Sequence, residues 1–181
     1  KVVRFLKNNK ADYCFISAPE NVAWLLNIRG YDNPNSPIPN ARLILNKKKK
    51  LFLIANENNL KNLLLDKKIK KSQILSIKSL PQFLGNLRGK NFIIDNKTCS
   101  IFYEEIIKSK FNILRFDDPV YELKSIKNSN EIKHMIEAHK KDGLALTKFI
   151  YWIKNINKKK ITEMYAQNKL EKFRKLNKDY L

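Results

Sequence analysis

Asp12-Tyr13-Cys14-Phe15-Ile16-Ser17-Ala18-Pro19-Glu20-Asn21-Val22-Ala23-Trp24-Leu25-Leu26-Asn27-Ile28-Arg29-Gly30 is the stretch that decides the fold of this chain. Its first six residues are a short apolar run rich in aromatic and β-branched side chains, which predicts a buried strand. Pro19 follows where a first helical turn tolerates a missing N–H. Val22, Ala23, Leu25 and Leu26 then supply an apolar face, so a helix is predicted over 19–27, with Gly30 ending it. A buried strand feeding directly into an amphipathic helix is the building unit of an α/β domain.

The same alternation continues on both sides. Val2 to Asn9 reads as a short helix with Val2, Val3 and Leu6 on one side. Tyr31 to Asn40 holds three Pro and three Asn and reads as a loop. Arg42-Leu43-Ile44-Leu45 and Leu51-Phe52-Leu53-Ile54 predict a hairpin across Lys47-Lys48-Lys49-Lys50. Glu57 to Leu65 predicts a helix, Gln73 to Ile77 a strand, Leu80 to Leu87 a short helix, and Asn91 to Asp95 a buried strand. Ser100 to Lys110 predicts a helix with Ile101, Phe102, Glu105 and Ile106 clustered, and Asn112 to Phe116 a last strand. Residues 1–117 are therefore expected to form an α/β domain whose mixed sheet is covered by helices.

Beyond Asp117-Asp118-Pro119 the pattern becomes purely helical. Asn128 to Asn130 offer caps, with Glu131 in the first turn. Ile132, Met135, Ile136, His139, Gly143, Leu146, Ile150 and Ile153 then recur at three- and four-residue spacing. Thr162-Glu163 starts a second helix, with Tyr165, Ala166, Leu170, Phe173 and Leu176 on one face. Two amphipathic helices with no strand after them read as the beginning of a second domain, and a first residue other than Met predicts a start inside a longer protein or a trimmed end.

The chain has 181 residues and a net charge of +20. Such a charge invites a polyanion, but 31 of the basic residues are Lys and only 6 are Arg, whereas phosphate recognition favours Arg's planar fork. Lys is spread among Asn and Ile, all with AT-rich codons, so genomic base composition accounts for the bias. Lys47 to Lys50 and Lys158-Lys159-Lys160 read as solvated turns, and neither nucleic acid nor membrane is expected as a partner. Two Cys make no disulfide framework. No signal peptide is recognisable, and a cytoplasmic protein is expected.

Chemistry-bearing residues are sparse. His134 and His139 lie about 140° apart around one helix and cannot share a metal. His139 falls on the apolar stripe and reads as a packing residue; Glu131 with His134 is a lone Glu-x-x-His. Four Gly make no phosphate loop. Cys14 reads as a small buried apolar residue, Cys99 precedes a helix where a lowered pKa is open, and Asp117-Asp118 reads as a turn. No complete catalytic constellation and no metal set is legible. The unusual segment is Trp24 to Asp32, where a Trp-bearing helix meets Arg29, Gly30, Tyr31 and Asp32 and then a Pro-rich loop. It reads either as a functional loop or as a helix cap with a local Arg29–Asp32 ion pair.

Three stretches in series resemble the three-domain Xaa-Pro aminopeptidases. Asn21-Val22-Ala23-Trp24-Leu25-Leu26-Asn27-Ile28-Arg29-Gly30-Tyr31-Asp32-Asn33-Pro34 is similar to that family's Ala-Trp-Leu-(Leu/Phe)-Asn-(Ile/Leu)-Arg-Gly-x-Asp segment. Asp118 to Asn128 resembles the junction into its catalytic domain. Ala138-His139-Lys140-Lys141-Asp142-Gly143-Leu144-Ala145-Leu146 through Trp152, with Thr162-Glu163 and Glu171-Lys172-Phe173-Arg174, resembles that domain's first two helices.

The resemblance implies a creatinase N-terminal-like, ribonuclease H-like middle domain over 1–117. Over 118–181 it implies the junction and first helices of an incomplete pita-bread catalytic domain. It implies a bacterial, cytoplasmic, homodimeric metallopeptidase that cleaves before a penultimate proline with two divalent ions, usually manganese. The family's ligands, two Asp, one His and two Glu, would follow the last residue, so no catalytic residue or metal ligand transfers to this chain. Alone, the chain is expected to bind no manganese and to be inactive. Trp24, Arg29, Tyr31 and Asp32 become candidates for a groove rim or domain interface. The alternatives are an inactive pita-bread interaction module and a basic nucleic-acid-binding domain.

Overall fold

A computed structural model describes residues 1–33, 36–56, 60–65, 69–156 and 161–180. Pro34, the expected helix start at Glu57, the Lys158-Lys159-Lys160 turn and Leu181 lie outside the described residues. The chain divides into two compact units, Lys1–Ser125 and Ile126 onward.

In the first unit the elements run α1 (Val2–Asn8), β1 (Tyr13–Ile16), α2 (Pro19–Leu26), β2 (Arg42–Asn46), β3 (Leu51–Ile54), α3 (Lys61–Leu65), β4 (Ile74–Leu75), α4 (Leu80–Asn86), β5 (Asn91–Ile94), α5 (Ile101–Lys108), β6 (Asn112–Arg115) and α6 (Pro119–Ser125). The six strands form one mixed sheet in the order β4-β3-β2-β1-β5-β6. β1–β2 and β2–β3 pair antiparallel, while β1–β5, β5–β6 and β3–β4 pair parallel. This is the mixed α/β architecture expected from the sequence.

Strand alternation explains why both faces are covered. Cys14, Ile16, Leu43, Leu53 and Ile93 pack on one face with Val2 and Leu6 of α1, Val22 of α2 and Val120 of α6. Tyr13, Phe15, Ile44, Ile54, Phe92 and Ile94 pack on the other face with Leu80 and Leu84 of α4 and Tyr103 and Ile107 of α5. Phe92 is stacked on Tyr13 at 5.2 Å and meets Phe111 edge-on at 5.2 Å, so the parallel pair β1–β5 carries an aromatic core.

Two local expectations are corrected. The α5 face that packs inward is Tyr103 and Ile107, while Ile101 and Phe102 face solvent; the inward stripe is set by the β5–β6 crossover, not by the densest apolar run. The fourth strand shrinks to Ile74–Leu75, because a 3-10 turn over Lys71–Gln73 takes Gln73 and a turn closed by Ser79 N–H on Ser76 O takes the residues after Leu75. The compact first unit runs on to Ser125, because α6 packs within it and Val120 is fully buried.

The hairpin turn is templated by Asn46, whose Oδ1 accepts the N–H of Lys48 and of Lys50, both at 2.9 Å. Lys49 there adopts φ 66°. Asp12 locks this end of the sheet. Its Oδ2 accepts the N–H of Lys90 at 2.7 Å and of Asn91 at 3.1 Å, and its Oδ1 pairs with Lys47. Burial raises the Asp12 pKa, but Lys47 and the two backbone donors outweigh it and hold the carboxyl below its usual value.

In the second unit, α7 (Ser129–Asn155) and α8 (Glu163–Arg174) pack as a helical pair. Asn128 and Glu131 form the expected capping box, and Thr162 caps α8 through the N–H of Tyr165. Arg174 donates to Asp142 at 2.7 and 3.3 Å. Within α7, Ala145 is the buried residue; Ile132, Met135, Ile136, Leu146 and Ile150 of the apolar stripe are exposed. His139 is exposed too, its Nδ1 3.0 Å from the carbonyl of Met135.

Candidate functional site at the end of the second helix

The motif segment leaves α2 through Asn27, which adopts φ 49°, ψ 51°. The sequence assigns helix termination to Gly30; the left-handed residue is Asn27, whose short polar side chain tolerates that conformation. Ile28 N–H bonds back to Ala23 O at 3.0 Å and Ile28 is buried. This reversal delivers Arg29 to Asp32 to the surface beyond the helix.

Residues 36–40 of the Pro-rich loop fold back onto that segment. Gly30 N–H donates to Pro37 O at 3.0 Å, and Asn40 N–H to Asp32 Oδ2 at 2.7 Å. A β-carbon at position 30 would stand 2.7 Å from Pro39 Cβ and 2.8 Å from Pro39 Cα. Glycine is thus required here by close approach. Arg29 donates to Ile28 O at 2.9 Å, and Arg42 donates to Asn40 Oδ1 at 2.8 Å.

The result is a cleft of about 270 Å³ lined by Arg29, Gly30, Tyr31, Asp32, Pro39 and Asn40 on one side and by Ala55, Asn56, Leu60 and Leu63 on the other. Arg29, Tyr31 and Asp32 come together in it, and Tyr31 is 86 % exposed. Trp24 does not join them. It lines a separate apolar groove of about 540 Å³ with Val3, Leu26, Leu43, Leu45 and Leu51, because it projects from the helix side facing away from the cleft.

Sequence reasoning missed a buried polar cluster at the start of α2. Asn21, fully buried, donates through Nδ2 to Asp118 Oδ2 at 2.7 Å. Asp118 Oδ1 accepts Val120 N–H at 2.9 Å, and Asp118 N–H donates to Asp95 Oδ2 at 3.2 Å. Tyr121 donates to Glu20 at 2.7 Å beside it. The available signal is that Asn21 shares a helical face with Leu25, four residues on. Burial pushes the Asp118 pKa up, against the opposing donors Asn21 and Val120. Tyr121 is pushed up to about 12 by burial and by Glu20.

Neither cysteine is primed for nucleophilic chemistry. Burial raises the Cys14 thiol far above its usual range, and raises Cys99 to about 11 with help from Glu104 and Asp95. The lowered value left open for Cys99 is therefore reversed. Asp117 pairs with Lys97 at 2.8 Å in solvent. Among the described residues no three His, Cys, Asp or Glu side chains gather in a metal-holding group, and no helix is long and apolar enough to cross a membrane.

Residues 1–131 match the family described as Creatinase/Prolidase N-terminal domain. The chain is 29% identical over 183 residues to Xaa-Pro aminopeptidase 1 of Dictyostelium discoideum, covering 97% of this chain and 29% of that protein. It is 27% identical to Xaa-Pro aminopeptidase ApepP of Drosophila melanogaster, covering 97% and 30%. The chain thus spans under a third of the length of these curated relatives. Both are eukaryotic, which counts against the bacterial source expected; AT-biased composition marks no kingdom.

Among solved structures it is similar to the X-prolyl aminopeptidase of Caenorhabditis elegans, described as a cytosolic enzyme with a di-nuclear active site. The TM-score is 0.83 at 22% identity, over 99% of this chain and 31% of that one. The prolidase of Pyrococcus furiosus gives 0.67 at 22% identity, over 96% and 48%. At these identities the structures establish the fold. With the family match spanning most of the sequence and the six-stranded mixed sheet in place, this chain belongs to the creatinase/prolidase N-terminal domain family.

Proposed function

We propose that this chain is part of a longer, cytoplasmic Xaa-Pro aminopeptidase and forms the non-catalytic side of its substrate groove. The observation that carries this reading is the alignment of 97% of the chain with 29% of a Xaa-Pro aminopeptidase. In this reading residues 1–117 are the middle domain and 118–181 the junction and first helices of the pita-bread catalytic domain. The exposed apolar stripe of α7 is then a surface that the rest of the catalytic domain covers, and the homodimer forms through that domain.

Two divalent ions, manganese by the resemblance, belong to the catalytic domain. The described residues of this chain do not fit them: the buried carboxylates Asp95 and Asp118 spend their oxygens on Lys97, Asp118, Val120 and Asn21 donors. What this chain supplies is shape and position. Arg29, Tyr31 and Asp32, held by the Gly30–Pro39 contact, form the rim that orients a peptide with proline in second position. The preformed cleft keeps that rim in place without ordering cost on binding.

Arg29→Ala in the longer protein tests this. We expect kcat/KM on proline peptides to fall about tenfold, roughly 1.4 kcal/mol, mainly through KM, with the unfolding midpoint unchanged. An unchanged kcat/KM with unchanged stability would rule out the rim role.

A further inference from the structure

Asn21 and Asp118 are 97 positions apart in sequence and join in the core through one hydrogen bond. Asn21 has no exposure, and among the described residues its Oδ1 meets no donor and its amide is oriented by Asp118. Asp118 is 3 % exposed and is the node of three elements: α2 through Asn21, α6 through the N–H of Val120, and the end of β5 through Asp95. Val120 buries fully beside it, and the Tyr121–Glu20 bond adds a second tie between the same two helices.

An apolar pair would fill this space without the desolvation cost that an amide and a carboxylate carry in the core. What the polar pair adds is a single geometry: sliding α6 against α2 breaks a bond that no water can replace. Both helices lead somewhere that matters. The chain leaves the first unit through α6, and α2 runs from Asn21 to Leu26, about 7.5 Å along its axis, where Asn27 turns the chain into Arg29 to Asp32.

We propose that Asn21 and Asp118 form a positioning clasp, which sets where the chain exits the first unit relative to the Arg29–Asp32 rim. Neither is a catalytic residue; both act through α2 and α6. The clasp itself stands on the structure, and its effect on substrate rests on the function proposed above.

Asn21→Asp places a second carboxyl against Asp118, and Asn21→Asp with Asp118→Asn restores an amide–carboxyl pair with the roles exchanged. In hydrogen exchange on this chain, the α6 amides should exchange about tenfold faster in Asn21→Asp while β5 amides move far less, and the swap should return them to within about threefold of wild type. If Asn21→Asp does not fold, Asn21→Ala should show the same selective loosening of α6. Unchanged α6 exchange, or exchange not rescued by the swap, overturns the clasp.

In the longer protein, Asn21→Asp should raise KM for Xaa-Pro peptides about fivefold with kcat within about twofold, and the swap should restore KM. A KM that stays put in an active protein overturns the positioning role. A wild type that cleaves no Xaa-Pro peptide refutes the proposed function, and α6 exchange still decides the clasp.

Discussion

Gly30→Ala is the sharpest perturbation of the cleft. A β-carbon there would sit 2.7 Å from Pro39 Cβ and 2.8 Å from Pro39 Cα, well inside van der Waals contact. One of these is a backbone atom of a residue whose φ is locked by its ring, so the neighbour cannot turn aside as a flexible side-chain tip would. Overpacking of this kind costs about 1–3 kcal/mol. Gly30 has no left-handed backbone to protect, so alanine regains about 0.4–1 kcal/mol from the unfolded chain. The net expectation is a loss of about 1–2 kcal/mol, with the Asn40–Asp32 and Gly30–Pro37 bonds displaced. Urea unfolding followed by Trp24 fluorescence, with Trp152→Phe to silence the second unit, reads this loss directly. A midpoint equal to or above wild type would refute the steric account of Gly30.

Asp12 gives a pH prediction. Its folded pKa is depressed, so its contribution is present above the unfolded value of about 3.9 and fades as pH falls through the lower folded pKa. Asp12→Asn should cost about 1–2 kcal/mol at pH 7, and urea midpoints of variant and wild type should converge below about pH 4; a constant difference down to pH 2.5 would remove the ionic part of the account. Thiol labelling at pH 8 should find Cys99, raised to about 11, about a hundredfold slower than a small thiol. Cys14 should stay silent until urea unfolds the sheet; rapid native labelling of Cys14 would contradict its burial.

The strands and the hairpin were legible because their signals are local. β1 and β5 are apolar runs bounded by turn residues, and the Asn128–Glu131 cap is a spacing rule. What escaped depends on partners distant in sequence. The α5 face follows from which side of the sheet the crossover takes, so Ile101 and Phe102 looked as inward as Tyr103. Asn27 and Gly30 both suit a helix end; Asn27 takes the left-handed turn, and Gly30 is needed for its close approach to Pro39. Arg29, Tyr31 and Asp32 could be singled out as a segment, but the cleft needs the loop carrying Pro39 and Asn40 and also Ala55, Asn56, Leu60 and Leu63. Trp24 shows the limit of adjacency: one helical turn separates it from the cleft. The Asn21–Asp118 bond spans nearly the whole first unit and leaves no periodic trace.

We propose that this chain works within a Xaa-Pro aminopeptidase. The measurement that reaches it most directly is N-terminal residue release by the longer protein, supplied with manganese, from two peptides differing only by proline or alanine in second position. We expect release from the proline peptide at a kcat/KM at least about a hundredfold above the alanine peptide. Equal cleavage of both, or none of either, would contradict it.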